Sequence, residues 1–88
     1  MKLEWDENKR QSNLKKHGFD FIDAKNVLQN DHLLKQTFYS GEERWLAVGL
    51  LEDLEVTIIY TKRQDKTRII SMRRSRHEER RAYCQLYK

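Results

Sequence analysis

Histidine, lysine, arginine and tyrosine are the residues of this 88-residue chain whose types and spacing suit chemistry at a phosphate. The single cysteine, Cys84, has no second thiol for a disulfide or a zinc cluster and no activating partner nearby in sequence. His17, His32 and His77 lie far apart without a second histidine or an acid at ligand spacing. Gly18, Gly41 and Gly49 stand alone rather than in a phosphate-cradling loop. No metal and no cofactor is therefore expected. What remains suits cleavage of RNA by its own ribose 2′-hydroxyl. That reaction needs a proton acceptor for the hydroxyl, cationic donors for the charge growing on the phosphoryl oxygens, and a proton donor for the leaving 5′-oxygen.

His17 is the first candidate for proton transfer, because an imidazole titrates near neutral pH. Its place just before Gly18 equally suits contact with the last carbonyls of a helix. Lys9, Asn13 and Lys16 share one stripe of the same helix, which can accompany His17 to a phosphate or stay solvated. Arg68, Arg73 and Tyr83 are assigned with His17 to catalysis. The odd spacing of Arg68 and Arg73 puts them on opposite faces of a regular strand, so only a bulge or a strand end brings both to one face. Arg73 and Arg74 stand at the entrance to a C-terminal helix, whose free amides also favour anions. Arg44, Arg63, Arg74 and Arg76 join Lys9, Asn13 and Lys16 as substrate-binding residues. Tyr60 belongs with them, since Tyr60 and Tyr83 can each stack on an unpaired base or donate a phenolic proton. Core packing is the alternative use of either tyrosine, and the expected use of Trp5 and Trp45.

Charge is unevenly spread along the chain. Residues 62–81 hold nine Lys and Arg against three acids, and the rest of the chain holds nine against eleven. Positive potential gathers where that segment folds, which favours a polyanion such as a phosphate backbone, although a solvated face has the same pattern. With 38 % hydrophobic residues, residues 1–88 have room for a single domain with a small core. No proline, glycine/serine-rich stretch or internal repeat marks a linker. No apolar run suits a signal peptide or approaches the ~20 residues of a membrane span, so a cytoplasmic protein without a membrane partner is expected.

The positioning elements read as an α+β fold. Residues 2–5 alternate as a short strand, Asp6 caps a helix starting at Glu7, and Gly18 ends it behind the basic Lys15, Lys16 and His17. Asp20 caps a second helix whose Phe21, Ala24, Val27 and Leu28 form one buried face and which fades near Asn30. β-Favouring runs at 33–39, 44–51, 54–61 and 67–73, with short separators, predict a four-stranded antiparallel meander. Ser75 and Glu78 have the S-x-x-E form of a capping box and open a C-terminal helix with Glu79, Ala82, Tyr83 and Leu86 along one stripe.

Several segments in series resemble the BrnT-like toxins: Trp5-Asp6-Glu7-Asn8-Lys9, Asn13-Leu14-Lys15-Lys16-His17-Gly18, Glu43-Arg44-Trp45, Ile58-Ile59-Tyr60-Thr61 and Arg68-Ile69-Ile70-Ser71-Met72-Arg73-Arg74. The resemblance runs from Leu3 to Tyr83 and includes the closing Glu78-Glu79-Arg80-Arg81-Ala82-Tyr83. It implies a RelE-like fold and a metal-independent ribonuclease that blocks translation. It also implies a cognate ribbon-helix-helix antitoxin that neutralises the toxin and supplies the contacts to operator DNA. Met72 departs from the pattern, standing where similar sequences commonly carry a small residue, at the expected floor of the site. Two other readings use the same residues: a non-catalytic RNA-binding module, and a protein-interaction domain with a basic face.

Overall fold

The structure is a computed structural model that describes residues 2–87. It opens with β1 (Leu3–Glu4), after which the Asp6 carboxylate accepts from the Asn8 and Lys9 N–H groups at 2.8 and 3.2 Å and starts α1 (Glu7–His17). Gly18, at φ 79°, ends α1 in the left-handed conformation that glycine adopts without a Cβ penalty. Asp20 caps the next segment through the Ile22 N–H, but the single helix expected there divides into a 3₁₀ turn (Phe21–Asp23) and α2 (Ala24–Leu28). A 3₁₀ turn eclipses residues i and i+3. Phe21 and Ala24 use that alignment, and both are fully buried.

The meander follows as β2 (Leu33–Tyr39), β3 (Glu42–Leu51), β4 (Leu54–Arg63) and β5 (Lys66–Arg74). Its strands run closer to their turns than expected. Ser40-Gly41 and Glu52-Asp53 are two-residue connections with positive φ at both positions, the twist that matches a tight hairpin. β1 adds in parallel beside β5, through Leu3 opposite Thr67 and Glu4 opposite Arg68, and the sheet order is β1-β5-β4-β3-β2. The chain closes with α3 (His77–Tyr87).

The core lies on one face of the sheet, where Phe21, Ala24, Val27 and Leu28 pack against Ala47, Val56, Ile58, Tyr60, Ile69 and Met72. Gly49 permits the close approach of α2 to β3: a Cβ there would stand 2.8 Å from Val27 Cγ1 and 3.2 Å from His32 Cβ. Met72 is fully buried and opposite Ile58, so its side chain fills this core rather than the floor of an open site. α3 covers the other face, where the Thr57 hydroxyl meets Ser75 Oγ at 2.7 Å and donates to Glu79 at 2.9 Å. The expected capping box moves by one residue. Glu79, not Glu78, accepts from the Arg76 N–H at 2.7 Å, because the Ser75 hydroxyl is committed to Thr57 and the helix begins at His77. Leu86 is 57 % exposed, so it does not continue the buried stripe of Tyr83.

α1 is attached differently. Asn13 is its one buried residue, so the helix has no apolar face to anchor it. The Asn13 amide donates to Met72 O at 2.7 Å and to Phe19 O at 3.1 Å, and its Oδ1 accepts from the Met72 N–H at 3.1 Å. A side-chain amide thus takes the place of a neighbouring strand on the inner part of the β5 edge and satisfies backbone groups that would otherwise be orphaned. Replacing Asn13 by Leu leaves both Met72 groups unpaired and is expected to destabilise the fold by about 2–4 kcal/mol. Asn13→Asp is expected to do similar damage, since it removes the donors and sets a carboxylate against a carbonyl. Urea unfolding measures both, and parental stability in Asn13→Leu would show that α1 is held by something else.

Candidate active site

β4 and β5 pair with Tyr60 opposite Ile69 but Ile59 opposite Ser71, which leaves Ile70 as an extra residue in β5. A bulge of this kind reverses the side-chain alternation beyond it. Arg68 stands opposite Thr61 and Arg73 opposite Thr57, four residues apart on β4, so both arginines occupy the same face, contrary to a regular strand. This is the face that α3 partly covers. Register places Lys35, Leu46, Ile59 and Ser71 in one row across it from β2 to β5, with Arg68 on one side of the row and Arg73 on the other.

The arginines of this face are held by carboxylates. Arg73 makes a two-pronged contact with Glu79 at 2.8 and 2.9 Å. Arg68 meets Glu4 at 3.3 Å, with Lys66 at 3.9 Å from the same carboxylate. Arg44 lies 3.0 Å from Glu42 and its guanidinium stacks 4.5 Å from the Tyr39 ring centroid, while Arg63 reaches Glu42 at 3.5 Å. Arg74, next to Arg73 in β5 and opposite the core residue Val56, belongs by register to the other face and is 3.6 Å from Glu55. Arg76 belongs to a cavity of about 250 Å³ beside α3, floored by Leu33, Leu46 and Val48 and rimmed by Lys35 and Glu78. Burial pushes the Glu79 carboxyl up, but Arg73, the Arg76 N–H and the Thr57 hydroxyl outweigh it and bring the pKa down to about 2.

A shallow cleft of about 230 Å³ runs between α1 and β5, lined by Lys9, Ser12, Asn13, Lys16, His17, Ile70 and Ser71. It contains two lysines, an imidazole and two hydroxyls, and no acid lines it. Ser71 belongs both to this cleft and to the row on the α3-bearing face, so the two regions join there. The larger cavity is further from His17, and it is the cleft whose side chains suit proton transfer at an anion. The structure therefore brings Lys9, Lys16 and His17 together as their helical stripe suggests. Asn13 lies in the wall with its amide fully engaged by backbone, which makes it a positioning residue.

Tyr60 and Tyr83 are not brought to the cleft. Tyr60 is 6 % exposed in the core, and Tyr83 is 4 % exposed under α3 on the opposite side of the sheet. Burial pushes both phenols above their ordinary value. Their aromatic bodies are used for packing. Ser12, Ser71 and the carboxylates Glu4 and Glu79 were not expected at the site. Only Glu79 had a local signal, three residues after Arg76 at a helix start.

The family described as "Ribonuclease toxin, BrnT, of type II toxin-antitoxin system" matches residues 5–79 of the chain. No curated protein matches it. No helix among the described residues is long and apolar enough to cross a membrane.

The Arg73–Glu79 pair has a pH signature. The Glu79 pKa is depressed from 4.5 to about 2 in the folded chain, so its stabilisation is fully present above 4.5 and is lost as pH falls through about 2. Glu79→Gln is expected to lower stability at neutral pH by on the order of 2–3 kcal/mol and to flatten the acid limb of the stability curve. Denaturant unfolding between pH 7 and pH 2 checks this; an unchanged acid limb in the variant would show that other carboxyls set it.

Proposed function

The chain belongs to the BrnT family of ribonuclease toxins of type II toxin–antitoxin systems, and we propose on that premise that it is a metal-independent endoribonuclease acting at the α1–β5 cleft. The observation that carries this reading is the acid-free cleft of Lys9, Lys16, His17, Ser12 and Ser71, which opens at Ser71 onto a face bearing Arg68 and Arg73. Its charge suits a phosphodiester, and its donor set of ammonium, imidazole and hydroxyl groups suits an anion better than a divalent cation.

His17 accepts the proton of the ribose 2′-hydroxyl as that oxygen attacks the adjacent phosphorus. The bond to the 5′-oxygen breaks, and an ammonium of Lys9 or Lys16 protonates the leaving oxygen. The products are a 2′,3′-cyclic phosphate and a 5′-hydroxyl. Arg68 and Arg73 turn their guanidinium forks from Glu4 and Glu79 to the phosphoryl oxygens, where charge grows. Arg44, Arg63, Arg74 and Arg76 contribute to holding the strand beyond the cut. In this reading the fold is of the RelE-like kind and the protein acts in the cytoplasm, where cleavage of RNA stops translation. A ribbon-helix-helix antitoxin neutralises it and carries the complex to operator DNA.

His17→Gln keeps polarity but removes the imidazole, and is expected to lower RNA cleavage by about 10²-fold or more without changing the melting temperature. Cleavage by the parent chain is expected to persist in excess chelator and to leave 5′-hydroxyl ends. A variant as active as the parent at every pH would reduce His17 to a helix-end contact. Separately, Lys9→Ala and Lys16→Ala should each reduce the log–log salt slope of binding to a non-cleavable single strand by about 0.7. An unaltered slope would place the phosphates elsewhere on the molecule.

A further inference from the structure

The two ends of the sheet are finished differently. At one end β1 pairs with Thr67 and Arg68, and the Asn13 amide takes the Met72 backbone. At the other end β2 is terminal, and no strand among the described residues pairs with its outer edge. Edge strands are ordinarily blunted by charge, proline or a bulge. β2 has an unbroken register with β3 over all seven residues, and Lys35 is its one charged residue. It also exposes apolar surface: Leu34 is 46 %, Phe38 66 % and Tyr39 62 % exposed.

We propose that this edge is the interface with a second copy of the chain, formed by antiparallel pairing of β2 with β2 about a two-fold axis at Gln36. The sequence of β2 is self-complementary in that register. Leu34 falls opposite the partner's Phe38 on one face, twice, which covers two of the three exposed apolar side chains with each other. Lys35 falls opposite the partner's Thr37, and Leu33 opposite the partner's Tyr39. A two-fold axis perpendicular to the sheet keeps the faces continuous only when a residue pairs with its own copy. Moving the centre to Lys35 sets lysine against lysine, and moving it to Thr37 carries Leu34 past the end of the strand, opposite the partner's Ser40. Gln36 is thus the centre that pairs all seven residues without opposing like charges. The α1–β5 cleft lies at the far end of each copy, so the dimer neither needs nor blocks it, and the proposal does not rest on the ribonuclease reading.

Sedimentation of the full chain over a concentration series is expected to show a dimer by roughly 100 µM, a range suited to a small interface. Phe38→Lys, which stands opposite Glu43 within its own chain, should fold normally and raise the dimer dissociation constant by roughly tenfold or more. Leu34→Glu should do the same. Mixing the two variants should restore association, because the introduced lysine and glutamate then meet across the axis while the other Leu34–Phe38 pair stays intact. In a Cys84→Ser background, Gln36→Cys should oxidise to a cross-linked dimer faster than Lys35→Cys. A chain that stays monomeric throughout overturns the proposal. So does a dimer indifferent to Phe38→Lys, one in which mixing gives no rescue, or β2 amides protected from exchange only when an antitoxin is bound.

Discussion

One side-chain amide links the sheet to the chemistry. Asn13 offers its N–H donors and its oxygen to the backbone of Met72, fifty-nine residues away, and to the Phe19 carbonyl. α1 is polar along its length and cannot be anchored by burying a stripe. A buried hydrogen-bonded amide gives what an apolar stripe does not, a defined rotation and height of the helix against the strand. Lys9, Lys16 and His17 consequently face Ser71, next to the bulge at Ile70. The expense of leaving the Met72 groups unpaired makes the attachment specific, because an alternative docking of α1 would orphan them.

The bulge and the ion pairs act together on the opposite face. Without Ile70 as an extra residue, one of Arg68 and Arg73 would point into the apolar core. With it, both stay on the α3-bearing face and each is met by a carboxylate from an element at the rim, Glu4 from β1 and Glu79 from α3. Glu79 also caps α3 through the Arg76 N–H and accepts from Thr57. The position of α3 and the orientation of Arg73 are therefore set by the same carboxylate. A guanidinium already held in a fixed fork loses little further freedom when a phosphate takes the place of that carboxylate.

Much of this protein was legible in its residues alone. The Asp6 and Gly18 caps act through neighbours within four positions, so the bounds of α1 could be read directly. The β-favouring runs and their turns are also local, and the ordered series of motifs from Trp5 to Arg74 was enough to point to the family that matches residues 5–79. The stripe of Lys9 and Lys16 beside His17 is likewise a property of helical geometry.

The tertiary structure decided what local periodicity does not encode. A bulge depends on how two strands settle against each other, so the shared face of Arg68 and Arg73 was contrary to the alternation read from sequence. Tyr60 and Tyr83 look alike as candidates until packing buries both, on opposite faces of the sheet. Ser75 and Glu78 have the spacing of a cap, yet Thr57 on another strand claims the serine and passes the capping role to Glu79. Asn13 read as one member of a substrate-binding stripe with Lys9 and Lys16, and only the arrival of Met72 beside it made it the anchor of the helix. Caps, turns and periodicity are settled within a few residues of chain and so belong to the sequence; register, burial and the choice of distant partner belong to the fold.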